Sequence, residues 1–288
     1  MLNDFAVFIL SNGRANRVIT YNTLRRCGYT GLIYILVDDE DVEINEYKKK
    51  YKSQVVVFSK KKAIEITDSG DNFRQRNSVV FARNINFEIA KKMGIKYFLQ
   101  LDDDYSSFDY TFNSQFQYIT KKTKIIKMDV IFKIFLNFLK STKITTIAFA
   151  QGGDFIGGSN STVSKLYLKN KMSRKAMNSF FCATDRPFKF SGRINEDVNT
   201  YVMMGMRGHL FYTYGGIRLK QLQTQANEGG LTDIYLDLGT YVKSFYSVIY
   251  APSCVGIARM GIKNKRIHHV VKWRFAVPKF LNEEIKKL

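Results

Sequence analysis

The chain has 288 residues, 45% hydrophobic and 14% aromatic, which excludes a disordered protein and allows a sizeable core. Forty-five Lys and Arg against 25 acids give a formal charge of +20, which points toward nucleic acid, an anionic surface or a phosphorylated substrate. Cys27, Cys182 and Cys254 are far apart with no CxxC spacing and no run of 18 apolar residues occurs, so a disulfide scaffold, a cysteine zinc site and a membrane span are excluded and a cytoplasmic protein is expected.

Apolar runs bounded by turn residues at 5–10, 32–37, 55–58, 97–101 and 145–150 predict buried strands. Between them, Phe81, Ile85, Ile89 and Met93 recur at four-residue steps and predict a helix over 78–93. Val130, Ile131, Ile134, Phe135, Phe138 and Leu139 predict a second helix with its apolar stripe on the core. This alternation implies an α/β fold with a largely parallel sheet, whose ligands bind at the carboxyl ends of the strands. No Pro/Ser-rich linker interrupts the chain. One domain over 1–288 is expected, with a nucleotide half over about 1–105 and an acceptor half over about 106–288.

The loop after the first strand, Ser11-Asn12-Gly13-Arg14, lacks the glycine spacing of a dinucleotide fingerprint, and no Walker A motif occurs. Arg14 and Arg17 at this strand end either meet a diphosphate, for which a guanidinium is suited, or face solvent. Ser11 belongs to the same candidate donor loop. Asp38 and Asp39 end the second strand, where an acid accepts hydrogen bonds from a base or ribose.

The sharpest signal is Leu101-Asp102-Asp103-Asp104-Tyr105. Three adjacent carboxylates at the end of an apolar strand repel one another unless a cation intervenes. A hard divalent ion, Mg²⁺ or Mn²⁺, would neutralise them and bridge to diphosphate oxygens. This is the DxD arrangement of transferases that use nucleotide-sugar donors, with Asp102 and Asp103 facing the donor and Asp102 and Asp104 the metal.

Residues 151–158 place Gly152 and Gly153 beside Asp154, either for close approach of a sugar or as a plain flexible turn. A basic stretch follows: Lys165, Lys169, Lys171, Arg174, Lys175, Arg186, Lys189 and Arg193 against Asp185 alone, a candidate track for DNA phosphates. Glu196 and Asp197 then precede an apparent helix. An inverting sugar transfer needs a carboxylate to take the acceptor proton, and a helix start equally favours acids for its dipole; both readings can hold for one pair. His268 and His269 offer a nitrogen ligand, although neighbours in a strand point to opposite faces.

Together, Arg25–Gly31, Thr67–Phe73, Gln100–Tyr105, Gln151–Gly158, Gly192–Thr200 and the late His pair resemble the TET-associated glycosyltransferases, over about residues 5–273. The resemblance implies a GT-A-like fold: a Rossmann-like nucleotide-binding half with a mixed sheet, and an acceptor-binding half. It implies transfer of a sugar, by default glucose from UDP-glucose, to the hydroxymethyl group of 5-hydroxymethylcytosine or 5-hydroxymethyluracil in bacteriophage DNA. A TET-like dioxygenase would supply that hydroxyl in the infected cell. By motif position, Asp102 and Asp104 match the outer acids of DxD, Asp197 the base, and His268 or His269 a late metal ligand. The 67–73 segment belongs to the pattern without an assigned role. Two other readings compete: the same enzyme on a protein or polysaccharide acceptor, and a non-catalytic DNA-binding module, which would have no use for an acid triad.

Overall fold

The computed structural model describes residues 4–73, 76–121, 123–169, 176–222, 241–260 and 266–286. Its frame is an eight-stranded sheet in the order β3-β2-β1-β4-β7-β6-β8-β5. The strands are β1 (Phe5–Leu10), β2 (Leu32–Asp38), β3 (Val55–Phe58), β4 (Tyr97–Asp102), β5 (Tyr105–Tyr110), β6 (Thr146–Gln151), β7 (Ser179–Ala183) and β8 (Phe211–Gln221). The first four pair in parallel. β7 is antiparallel to both β4 and β6, β8 runs parallel to β6, and β5 closes the far edge antiparallel to β8. The sheet is therefore mixed: Rossmann-like over the first half, with antiparallel strands inserted in the second.

Strand alternation explains the two faces. Phe5, Val7 and Ile9 of β1 enter one core with Leu99, Leu101, Phe132 and Phe135, while Ala6, Phe8 and Leu10 enter the other with Phe98, Phe81 and Ile85. The first face is covered by α1 (Ile19–Arg26), α2 (Ile44–Tyr51) and α5 (Met128–Ser141), the second by α3 (Lys60–Glu65) and α4 (Val79–Lys92). Ser78 caps α4 by accepting from the Val80 amide.

The helix expected around residue 130 is present as α5, but its stripe is displaced. Ile131, Phe132, Phe135, Leu136 and Leu139 are buried, whereas Val130, Ile134 and Phe138 are 53%, 58% and 42% exposed. Six apolar residues span more than one face of a 3.6-residue helix, and the sheet takes the face centred on Phe132 and Phe135.

Beyond the sheet lie α6 (Thr162–Leu168), α7 (Glu196–Met206), α8 (Val242–Tyr250) and a two-stranded ribbon of β9 (Val255–Met260) and β10 (Arg266–Val271). Val198, Tyr201 and Val202 of α7 pack with Ala251, Cys254 and Val255 in a separate apolar cluster, and Tyr201 stacks on Trp273. All three cysteines are free and buried. No helix among the described residues is long and apolar enough to cross a membrane.

Candidate active site

Leu10 and Asp102 pair across parallel β1 and β4, so both chains leave the sheet side by side. Asp103 consequently turns into the first loop. Ser11 Oγ donates to its Oδ2 at 2.6 Å and Arg14 Nη1 to its Oδ1 at 3.1 Å, leaving the carboxylate 3% exposed. Burial pushes the Asp103 carboxyl up, and Arg14 and Ser11 oppose that push. Ser11 and Arg14, expected at the donor, are thus spent on anchoring the middle acid; Arg17 is exposed on the turn that follows.

Asp104 is the contrast. Its Oδ2 accepts from Gln221 Nε2 at 3.3 Å, while its buried Oδ1 has no hydrogen-bond partner among the described residues. Burial, then the charges of Asp102 and Asp103, push this carboxyl up to about 7. A carboxylate so placed calls for a cation. Asp102 faces the other way, with Oδ1 accepting from Arg83 Nη2 at 2.8 Å and Oδ2 3.3 Å from the Tyr105 hydroxyl.

Arg83 joins the two parts of the site. It is 0% exposed on the inner side of α4; Nε donates to Glu196 Oε1 at 3.0 Å while Nη2 holds Asp102. Its guanidinium lies over the Phe180 and Phe190 rings, at 5.1 and 5.8 Å from the centroids. Glu196 and Asp197 open α7, each 5% exposed, and Asp197 Oδ1 accepts from the Val198 amide at 2.7 Å. Burial and the neighbouring Asp197 push the Glu196 carboxyl up against the pull of Arg83. Asn195, left-handed at φ 55°, donates through Nδ2 to the Lys243 carbonyl at 2.6 Å and lies 3.3 Å from His269 Nδ1. His269 is thereby brought to the start of α7.

The segment 67–73 gains a role here. The amides of Gly192 and Arg193 donate to the Asp68 and Ser69 carbonyls, each at 2.8 Å. The Arg193 guanidinium clasps Asp71 through Nε and Nη2, and Tyr246 of α8 donates to the same carboxylate. Burial opposes ionisation of Asp71, but the Arg193 and Tyr246 hydrogen bonds outweigh it and hold the carboxyl below its ordinary range. This clasp fixes the strand of chain that delivers Glu196 and Asp197.

Several expected assignments change. Arg193 is committed to Asp71 and is 3% exposed, so it does not face DNA. Arg186 donates to the Leu139 and Thr142 carbonyls at the end of α5, both at 2.6 Å, and serves that helix terminus. Lys165, Lys169 and Lys189 are exposed; Lys171, Arg174 and Lys175 lie outside the described residues. Asp38 is buried between Asn12 and Lys60, and Asp39 accepts from the Lys60 amide, so this pair organises the turn after β2. A Cβ on Gly152 would stand 3.3 Å from the Leu219 carbonyl, so that glycine answers to β8; Gly153 is open. Asp154 accepts from the Gln151 amide at 3.2 Å within a capping box.

The His pair also departs from expectation. The rings of His268 and His269 lie 4.4 Å apart, not on opposite faces, because His268 Nδ1 turns to the His269 carbonyl at 2.7 Å. A carbonyl only accepts, so Nδ1 carries the proton. Among the described residues no three His, Cys, Asp or Glu side chains converge to cage an ion, and the pair does not complete a set with the triad. The triad still suits Mg²⁺ or Mn²⁺ bound through one or two carboxylates and substrate phosphates, since Asp104 Oδ1 is buried and unclaimed among the described residues.

Arg83 and Gln221 carry this geometry from outside the sequence motifs, and Asp71 and Asn195 from within the 67–73 and 192–200 segments without having been given a role. Arg83 left a trace of another kind: it sits one turn from Val80 and from Phe87, a charge on the apolar face of α4.

A family model described as TET-Associated Glycosyltransferase matches residues 5–230. No curated protein matches the sequence. Among solved structures, glucosyl-3-phosphoglycerate synthase from Mycobacterium tuberculosis, in complex with Mn²⁺, UDP and phosphoglyceric acid, is similar at 10% identity and TM-score 0.43, over 93% of this chain and 86% of that one. S. aureus TarS 1–349 with UDP-GlcNAc is similar at 12% identity and TM-score 0.39, over 85% and 66%. A cytidylyltransferase from Leptospira borgpetersenii serovar Hardjo-bovis follows at 14% and 0.38, over 84% and 85%.

Proposed function

The chain belongs to the TET-associated glycosyltransferase family, and from that membership we propose that it moves a sugar from a nucleotide donor, UDP-glucose by default, onto a hydroxymethylated pyrimidine in DNA. The acceptor is 5-hydroxymethylcytosine or 5-hydroxymethyluracil, its hydroxyl installed by a TET-like dioxygenase in the infected cell. The charge of +20 supports a polyanionic acceptor.

The observation that carries the reading is the Arg83 bridge. It ties Asp102, at the strand end where a diphosphate would lie, to Glu196 beside Asp197. Asp197 takes the proton from the hydroxymethyl oxygen as that oxygen bonds to the anomeric carbon. The bond from that carbon to the diphosphate oxygen breaks, and the nucleoside diphosphate leaves with the electron pair. Displacement from the face opposite the leaving group inverts the anomeric centre. Asp104, with Asp102, would hold Mn²⁺ or Mg²⁺, which supplies positive charge to the departing diphosphate. Glu196 is locked by Arg83 and orients the turn that presents Asp197.

The experiment is mass spectrometry of nucleosides from hydroxymethylated DNA incubated with the protein and a panel of nucleotide sugars. A hexose-shifted hydroxymethylpyrimidine is expected. Donor turnover onto protein or polysaccharide, with DNA unmodified, refutes the acceptor assignment.

A further inference from the structure

The chain between β5 and α5 forms a hairpin whose tip is Phe116. This ring is 65% exposed, and its backbone sits at φ 58°. A bulky residue in the left-handed region is an outlier, where Gly or Asn is the ordinary choice. Neither burial nor backbone preference accounts for phenylalanine here.

The tip is nevertheless braced. The Phe116 amide donates to the Asn113 carbonyl at 3.0 Å, and Asn113 Oδ1 accepts from the amides of Gln115 and Gln117 at 3.0 and 2.8 Å. Below the tip, Phe112 and Tyr118 face each other across the hairpin, and both meet Phe155, each at 6.1 Å between ring centroids. Phe155 ends the turn that leaves β6 at the carboxyl end of the sheet. Arg218 of β8 lies over Tyr118 and donates to the Ile119 carbonyl at 3.0 Å, three residues before the Gln221 that bonds Asp104. The hairpin is thus an aromatic finger on a firm base, built from the strand that also supports the acid triad.

Its charge is one-sided. Residues 110–128 contain Lys121, Lys122, Lys124 and Lys127 and no acid. All four follow the tip, and that composition suits a phosphate backbone running past the returning arm of the hairpin.

Resting on the DNA acceptor proposed above, we propose that Phe116 enters the base stack of duplex DNA and fills the gap left when the target nucleotide swings out. Asp197 is 5% exposed, so the hydroxyl of a stacked pyrimidine stays beyond its reach. Enzymes acting on a base inside a duplex extrude it, and apolar side chains wedged between base steps hold such openings.

The test uses an oligonucleotide with 5-hydroxymethylcytosine beside 2-aminopurine, single-stranded and in duplex. Wild-type binding to the duplex should raise 2-aminopurine fluorescence as its neighbour leaves the stack. Phe116→Ala should bind the duplex without that rise and transfer sugar to it about 10- to 100-fold more slowly, with single-strand transfer within about twofold of wild type. Phe116→Leu, still apolar, should recover most of the duplex activity. Equal losses on both substrates, or a fluorescence rise kept in Phe116→Ala, overturn the proposal. A wild-type protein that transfers sugar to neither substrate refutes the DNA acceptor, and the fluorescence comparison then decides the wedge alone.

Discussion

Replacing Asp104 with Asn should make the metal-free protein more stable, and only above a certain pH. The carboxyl stands at about 7 in the fold, three units above the roughly 3.9 of a free aspartate. An acid raised by folding penalises the native state once it must ionise. The penalty is absent below pH 4, grows between 4 and 7, and is complete above 7. At about 1.4 kcal/mol per unit it reaches about 4 kcal/mol at most. Asn removes it while keeping an oxygen for Gln221, whose amide donates to this side chain. At about 2 °C per kcal/mol for a chain of this size, the variant should melt up to about 8 °C higher at pH 8 and at the same temperature as wild type at pH 4. Adding Mn²⁺ with UDP should close most of the gap, to about 1 kcal/mol, since a ligand at 100 times its Kd stabilises by about 2.7 kcal/mol and the variant forfeits it. Thermal melts at the two pH values, with and without Mn²⁺ and UDP, read all four corners. A variant less stable than wild type at pH 8 without metal, or one stabilised equally by Mn²⁺, refutes the reasoning.

Asp197→Asn should retain donor binding and lose roughly 10²–10⁴-fold in single-turnover transfer; a near-normal rate would move the base elsewhere, with Asp154 next. Arg83→Met leaves Asp102 and Glu196 without their shared cation and should cost about 3–5 kcal/mol in urea unfolding, a cost reduced when Glu196→Gln is added; a loss below about 1 kcal/mol would contradict the bridge. Asp71 is held below its ordinary range, so its contribution is present above the unfolded value of about 3.9 and disappears on acidification. Asp71→Asn should therefore melt lower than wild type at pH 7, with the gap closing below pH 4 in a pH series. Gln at Lys165, Lys169, Lys171, Arg174 and Lys175 should flatten the log–log salt dependence of DNA affinity by about 0.9 for each phosphate no longer neutralised, and an unchanged slope would return these residues to plain solvated surface.

The parts legible in the sequence were those written in contiguous residues. Leu101-Asp102-Asp103-Asp104 announces itself because three charges end an apolar run, and β1 to β4 follow one another in that same register of apolar blocks. β8 was hidden: Gly215 and Gly216 interrupt it, and the pairing with β6 jumps from Phe149–Tyr214 to Ala150–Arg218, so no simple alternation survives. β7 is five buried residues with no period to read. Arg193 illustrates a deeper limit. In sequence it is one more cation in a basic stretch; its partner Asp71 stands 122 residues away, and only the tertiary fold turns a surface charge into a buried clasp. Nothing in the residues flanking Arg193 marks that difference.

The strand order has a consequence for how the chain is made. β4 and β5 are neighbours in sequence, yet three strands from later in the chain separate them in the sheet. Among the described residues β5 finds its strand partner at residues 217–221, over a hundred residues downstream. At about 5–20 residues per second, a ribosome delivers that partner on the order of ten seconds later. Through that interval the open edge of β4 waits for β7, and the nascent chain carries unpaired backbone flanked by Phe98, Leu99 and Phe108. Low temperature, slow codons between residues 110 and 210 or early termination would lengthen that exposure, and the yield of folded protein would fall with it.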